Sequence, residues 1–381
     1  MYAHILCHMR ELKRGVALSQ SATPGQYFLG TFKRAIRIYT HEEKVIALAL
    51  AGGKSEKEIL QTPNVLDATV SALLAQLEVE ELINHKQGVL RVSQRFVSKL
   101  DNRVKKNSRP AVDAGVQQLQ RRCAPELNQT NWIAGVVDGG VEILSARQNY
   151  LCEISGNNRV ATLLYSLLLA SGLSQVRFTP TSRGANPLIG DIDMALSTFR
   201  QSDIGTPFKN HCEMIRRELA LFPLDRHENY LDEASTPDLR IHCGDINPET
   251  LSLWMSSGEK FLIIPTPHAD SAQIGPLVIP GQSPCLRCYQ LSASEQRGVV
   301  DHLEFTPNVE QEYPQIAAHF MAALAASFIV QFCDAITVAI AQDLAADFSA
   351  LLGVAISVDY QLLAYPQVVA IPRHPLCGCA F

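Results

Sequence analysis

Cys285-Leu286-Arg287-Cys288 and Cys377-Gly378-Cys379 each set two thiols at close spacing, the first in a Pro- and Gly-bearing turn, the second at the end of the sequence. A tight turn presenting two sulfurs supplies half of a tetrahedral zinc site, and folding can bring two such turns together. Four thiolates leave no open coordination position, so the expected role of Zn2+ is structural, clamping the last residues onto the domain that carries Cys285. Redox chemistry at the CxxC is a rival use, although no thioredoxin-like context surrounds Cys285. Unrelated buried thiols are the other rival, weakened by the pairing of the clusters. Cys7, Cys123, Cys152, Cys212, Cys243 and Cys333 read as ordinary buried residues.

A second place for chemistry is Ser155-Gly156-Asn157-Asn158-Arg159, between the apolar strand Leu151 to Ile154 and the apolar helix Val160 to Ala170. A turn from strand to helix is where a nucleotide-binding fold sets backbone donors and a helix N-terminus against phosphate. Only Gly156 remains of a glycine-rich loop here. The side chains of Asn157, Asn158 and Arg159 crowd the place where glycine admits close approach. ATP is therefore not expected. No Ser-His-Asp or Cys-His set can be read from the scattered histidines.

The elements that must position these residues occupy 381 residues, more than one core usually organises, so two domains are expected. Hydrophobic content of 47% with 19% charged residues excludes general disorder, and a net charge of −5 advertises neither nucleic acid nor an anionic membrane. Met1 to Arg14 lacks the pattern of a signal peptide. Ile316 to Ile340, interrupted by His319, Gln331 and Asp334, reads as a buried helix rather than a membrane span, so a cytoplasmic location is expected. From Tyr150 the rhythm is β-α-β: strands at Leu151 to Ile154, Val176 to Phe178, Leu239 to Cys243 and Phe261 to Pro265, with a helix at Pro248 to Ser256. This alternation predicts a mostly parallel sheet covered on both faces.

Ahead of it, Gln26 to Gly30 and Ala35 to Tyr39 read as a hairpin. A helix over Glu42 to Leu50, a capping box at Ser55 and Glu58, and a third helix over Val65 to Leu77 follow. Glu81 to Asn84 and Val89 to Val92 complete a second hairpin, the order of a small winged-helix module over residues 24–95. Residues 1–23 form an N-terminal segment. Residues 96–145 form a basic connector and a hairpin turning at Asp138-Gly139-Gly140. The basic run Arg91 to Arg109 suits a solvated face, a leader or partner contact, or nucleic acid. The third helix carries no Arg or Lys, which argues against base readout. Its exposed side offers Asp67, Thr69, Ser71 and Gln76 instead, while its apolar stripe belongs to the core.

Gly275-Pro276-Leu277-Val278-Ile279-Pro280-Gly281-Gln282-Ser283-Pro284-Cys285-Leu286-Arg287-Cys288, with Pro372-Arg373-His374-Pro375-Leu376-Cys377-Gly378-Cys379, resembles the ubiquitin-activating-like proteins of thiazole/oxazole-modified peptide biosynthesis. These are the cyclodehydratase partner, or leader-peptide-binding, proteins. Asp203-Ile204-Gly205 with Lys209, and His242-Cys243-Gly244-Asp245, resemble further segments of ubiquitin-activating-like enzymes. The winged-helix module resembles the family's precursor-peptide recognition domain. The resemblance implies an α/β fold: a ubiquitin-activating-like Rossmann-type sheet domain at 146–381 with a zinc clamp, preceded by the winged-helix peptide-recognition domain. It implies a protein that holds the leader of a ribosomal peptide as an added strand and presents the core to a YcaO-type cyclodehydratase. That partner, not this chain, would form azolines from Cys, Ser or Thr. The resemblance also admits a homodimer.

The adenylating relatives keep a full glycine-rich loop and an acid after the second strand. Here Thr179-Pro180-Thr181 follows Phe178, and Asp191 and Asp193 lie downstream. Gly156, Asn157, Asn158, Arg159, Arg200, Lys209 and Asp245 therefore read as a vestigial nucleotide site without a catalytic residue. An ATP-dependent enzyme adenylating a peptide carboxyl terminus is the first alternative, and a winged-helix transcription regulator with a sensor domain the second.

Overall fold

The computed structural model describes residues 10–85, 88, 110–156, 158–179, 188–190, 193, 198–221, 235–268, 270–297 and 312–379. They fall into two compact units, one built from residues up to Ser145 and the other from Ala146 onward.

In the first unit, strands β1 (Glu11–Leu12), β2 (Ala17–Gln20), β3 (Tyr27–Gly30) and β4 (Ala35–Ile38) precede helices α1 (His41–Ala51), α2 (Glu56–Leu60) and α3 (Asp67–Val79). Strand β5 (Ile83–Asn84) and helices α4 (Pro110–Thr130) and α5 (Val141–Ala146) follow. β2, β3 and β4 form an antiparallel sheet in which Leu29 faces Ile36 across the ladder. Both are buried, with Ile46, Leu50, Val70, Leu73, Leu74 and Leu77. α1 and α2 start at capping boxes: Thr40 accepts from the Glu43 amide at 3.0 Å, and Ser55 from the Glu58 amide at 3.4 Å. In each box the glutamate carboxylate returns a bond to the cap's own amide, satisfying two donors that a helix start leaves open.

The expected first hairpin and three helices are present, with three differences around them. β2 adds a third strand to the hairpin, and Leu12, Val16 and Leu18 pack on the same core, so the module reaches ahead of residue 24. β5 pairs with β1; residues 89–92, the expected second arm of the later hairpin, lie outside the described residues, as does the basic run 91–109. Asp138-Gly139-Gly140 is not a hairpin turn. The Asp138 carboxylate accepts from the amides of Gly140 at 3.0 Å and Glu142 at 2.8 Å, so it caps a helix, and Val141–Ala146 is α5 rather than a strand. The apolar run is short and lacks alternation, and the aspartate's bonds to the backbone ahead of it decide the outcome.

In the second unit, β6 (Leu151–Gly156), α6 (Arg159–Ala170), β7 (Gln175–Thr179), α7 (Phe208–Leu219), β8 (Leu239–Cys243), α8 (Pro248–Ser256) and β9 (Phe261–Ile264) alternate. Then come β10 (Ser271–Ile274), β11 (Leu277–Val278), α9 (Leu286–Arg297), α10 (Gln315–Gln342), β12 (Val354–Asp359) and β13 (Gln367–Ala370). The main sheet has the order β11-β9-β8-β6-β7, parallel except for β11. β9 shows why its sequence is apolar without alternation. Leu262 and Ile264 join the core with α6 and α10, whereas Phe261 and Ile263 join a second core with Trp254, Cys285 and Cys288. A strand covered on both faces has no solvent side to make polar. A separate antiparallel sheet, β10-β12-β13, follows.

α10 is long and apolar enough to cross a membrane by length and composition, and half of its most apolar stretch is buried in this unit. Its Asp334 receives a bidentate pair from Arg147, at 2.8 and 2.7 Å, and Arg147 also donates to the Ser171 carbonyl. Arg147 has no exposed surface. The polar residue that interrupts the apolar run is thus one half of a satisfied interior ion pair.

Candidate functional site

The four paired cysteines meet. After β11, the Ser283 hydroxyl accepts from the Ile279 amide at 2.9 Å and closes a turn that includes Gly281, which delivers Cys285 to the start of α9 and Cys288 to its first turn. From the other side, Arg373 donates to the Gly281 carbonyl at 2.9 Å and the His374 amide to the Cys288 sulfur at 3.4 Å. Gly378, with φ +70°, takes the left-handed backbone that turns Cys377 and Cys379 toward the same point. The sulfurs of Cys285 and Cys377 are 3.2 Å apart, those of Cys288 and Cys379 3.3 Å, and all four lie within 4.8 Å. Zinc–sulfur bonds of about 2.3 Å place tetrahedral sulfurs about 3.8 Å apart, so the cluster has the size of a zinc tetrahedron and lies well beyond the about 2.05 Å of a disulfide.

Cys285 and Cys288 are buried, and Cys377 and Cys379 half-buried. Burial opposes ionisation of Cys288, but donors from His374, Cys285 and the facing thiols outweigh it and hold that thiol down to about 7. Burial and the neighbouring thiols push Cys377 and Cys379 up. A divalent cation would draw the protons from all four. Buried His374 supports the tail: its Nδ1 accepts from the Leu376 amide, and its Nε2 lies 2.9 Å from the Glu295 carboxylate.

The second place is the end of β6 beside β8. The chain leaves β6 toward β7 on one side, while β8 pairs on the other, so this is the switch point where open α/β sheets bind ligands. Gly156 has φ +132°, and a β-carbon there would lie 2.2 Å from the Cys243 carbonyl oxygen, so only glycine fits. His242 fastens the two strand ends. Its Nε2 donates to the Asp245 carbonyl at 2.9 Å, leaving Nδ1 to accept from the Ser155 hydroxyl at 2.8 Å. Burial lowers the His242 pKa and favours this neutral ring. The arrangement is a brace rather than a catalytic triad, because Asp245 contributes its carbonyl and not its carboxylate.

The predicted nucleotide residues are only partly drawn together. Gly156, Asn158, Arg159 and Asp245 lie at this sheet edge; Asn157 is outside the described residues. Asn158 does not face outward, since its side chain accepts from the Ala161 amide at 2.9 Å and caps α6. Arg159 donates its guanidinium to the Tyr313 carbonyl at 2.8 Å. Arg200 and Lys209 are exposed on the β7–β8 connection, with the Arg200 amide bonded to Asp203. Sequence reasoning missed Glu312. Both its oxygens lie 3.3 Å from the Arg159 amide at the start of α6, and Oε1 accepts from the Tyr313 amide at 2.7 Å. It stands 153 residues from Arg159, and no spacing rule could have joined them.

On α3, Asp67, Ser71 and Gln76 are exposed and Thr69 is half-buried, while Val70, Leu73, Leu74 and Leu77 are core. Leu66 departs from that stripe: it is 64% exposed and precedes the helix. β4 is an edge strand among the described residues, with Ala35 and Arg37 exposed. Arg34, just ahead of β4, is ion-paired with Glu81, just past α3, so strand start and helix end adjoin.

The parallel sheet with this switch point, followed by a thiol cluster, defines a mixed α/β protein, and solved structures share its fold. Escherichia coli MccB in complex with MccA-N7isoAsn is similar over 98% of this chain and 99% of its own, with a TM-score of 0.63 and 13% identity. MccB with ATP is similar over 98% and 99%, at 0.61 and 14%. A heterocyclase in complex with substrate and cofactor is similar over 98% of this chain and 39% of its own, at 0.51 and 11%. No protein-family model and no curated protein sequence matches the chain.

Proposed function

We propose that this chain is a zinc-stabilised scaffold that binds the leader of a ribosomally synthesised precursor peptide and presents it to a YcaO-type cyclodehydratase in the cytoplasm. The observation that carries the reading is β4, an edge strand among the described residues, whose start adjoins the end of α3. An unpaired strand edge supplies main-chain donors and acceptors to an added strand, and a flanking helix supplies side-chain pockets. The first unit, with its hairpin and three short helices, is read as a winged-helix recognition module, and Asp67, Thr69, Ser71 and Gln76 as its peptide-facing side chains. Similarity to MccB captured with its peptide and to a substrate-bound heterocyclase is consistent with a peptide ligand. The chemistry is assigned to the partner because Asn158 and Arg159 are engaged by the protein itself.

The test is fluorescence anisotropy of the full chain with the leader of a short Cys/Ser/Thr-rich peptide encoded beside it. We expect saturable binding, weakened about tenfold or more by Asp67→Arg with Ser71→Arg, exposed positions whose replacement should leave the fold intact. No binding, or binding indifferent to that pair, would refute the reading. Zn2+, held by Cys285, Cys288, Cys377 and Cys379, would supply a closed structural cross-link and no chemistry. One equivalent of zinc per chain is expected, with Cys285→Ser losing it and melting at least about 5 °C lower. A metal-free protein with unchanged melting would remove the clamp.

A second reading, adenylation of a peptide carboxyl terminus, is favoured by the whole-length similarity to MccB bound to ATP. ATP–pyrophosphate exchange in the presence of the peptide decides it. Exchange would move the chemistry to this chain.

A further inference from the structure

We infer that Glu312 is a built-in anion that takes the phosphate position at the start of α6, so that the chain's own carboxylate closes the sheet-edge site to nucleotide. A helix N-terminus following a parallel strand at a switch point holds phosphate through its first free amides. Here the first helical amide, Arg159, faces both Glu312 oxygens. A carboxylate satisfies the same donors and the same positive end of the helix that a phosphate would.

Glu312 is held from both sides. The next residue, Tyr313, is fully buried; its amide donates to Glu312, its carbonyl accepts from the Arg159 guanidinium, and its hydroxyl donates to the Pro265 carbonyl at 2.7 Å. Pro314 and α10 follow directly, so the carboxylate hangs from the start of a core helix. The surroundings carry both signs, the Arg159 cation favouring the Glu312 carboxylate and a second carboxylate opposing it. Asp193, itself buried, acts on Glu312 electrostatically, as Glu312 does on Cys243 at the end of β8. A polyphosphate entering here would meet two carboxylates and would have to displace one from its donors. The start of α6 thus holds an internal anion where an external one would sit.

The inference stands apart from the leader-binding reading, and one experiment separates their failures. Full-length protein, Glu312→Gln and Glu312→Ala are titrated calorimetrically with inorganic pyrophosphate and with Mg-ATP, and leader affinity is measured on the same samples. Glu312→Gln keeps the size and one accepting oxygen for the Tyr313 amide while removing the charge, so it serves if Glu312→Ala does not fold. Glu213→Gln, an exposed carboxylate on α7, controls for net charge. We expect no binding to the native chain and a gain of about tenfold or more in anion affinity for the Glu312 variants alone. Native protein that binds either probe as tightly as the variants would overturn the inference. So would folded variants that bind neither, or an equal gain in Glu213→Gln. Unchanged leader affinity throughout leaves the peptide reading untouched, whereas its absence in the native chain refutes that reading alone.

Discussion

At Glu312, burial and hydrogen bonding work in opposite directions. Burial raises its carboxyl above the ordinary 4.5 and Asp193 adds to the rise, while the amides of Tyr313 and Arg159 oppose it; the rise prevails. A carboxyl raised in the folded state keeps a proton that the unfolded chain has already shed. Its contribution to stability is therefore largest at the acid side and falls as pH rises from 4.5 through the raised value. The stability difference between native protein and Glu312→Gln, followed by urea unfolding across mildly acid pH, should decline over that window; a flat difference contradicts the shift. Asp334 is raised by burial too, with Arg147 pulling the other way. Asp334→Ala would strand a fully buried guanidinium, and we expect a loss of about 3–5 kcal/mol in urea melts. A loss below about 1 kcal/mol would mean that the site relaxes or hydrates.

At the scale of elements, α10 depends on small residues. Ala318, Ala322, Ala325 and Ala326 are buried where it packs with α6 and the sheet. Small side chains let the helices approach closely, so Ala322→Leu should cost about 1–3 kcal/mol through overpacking, read as a lower urea midpoint at unchanged slope. The same elements show how far sequence patterns carry. α1 was legible from the helical spacing of Glu42 to Leu50, and α2 because Ser55 and Glu58 act within one turn; the Thr40–Glu43 box at the start of α1 went unread. β9 was legible because an apolar run bounded by turn residues has few other uses. α5 was misread because Val141 to Leu144 is too short to show a period, and β1 and β2 because Leu12, Val16 and Leu18 acquire meaning only from a distant core.

For the whole molecule, the division into two units with separate cores predicts two calorimetric transitions. If zinc cross-links the cysteine turns, a chelator should lower one transition and leave the other in place, because among the described residues the cluster packs with residues of the second unit. A uniform downward shift of both would contradict that assignment. The sequence alone determined most of the elements and the pairing of the thiols: short-range hydrogen bonds and apolar periodicity set helices and parallel strands, and thiol spacing makes each half of the cysteine cluster. The tertiary structure decided what those parts do. Cys285 comes to 3.2 Å from Cys377 across 92 positions, and Glu312 reaches Arg159 across 153. Such contacts follow from strand order and helix packing, to which the local pattern around either residue is blind.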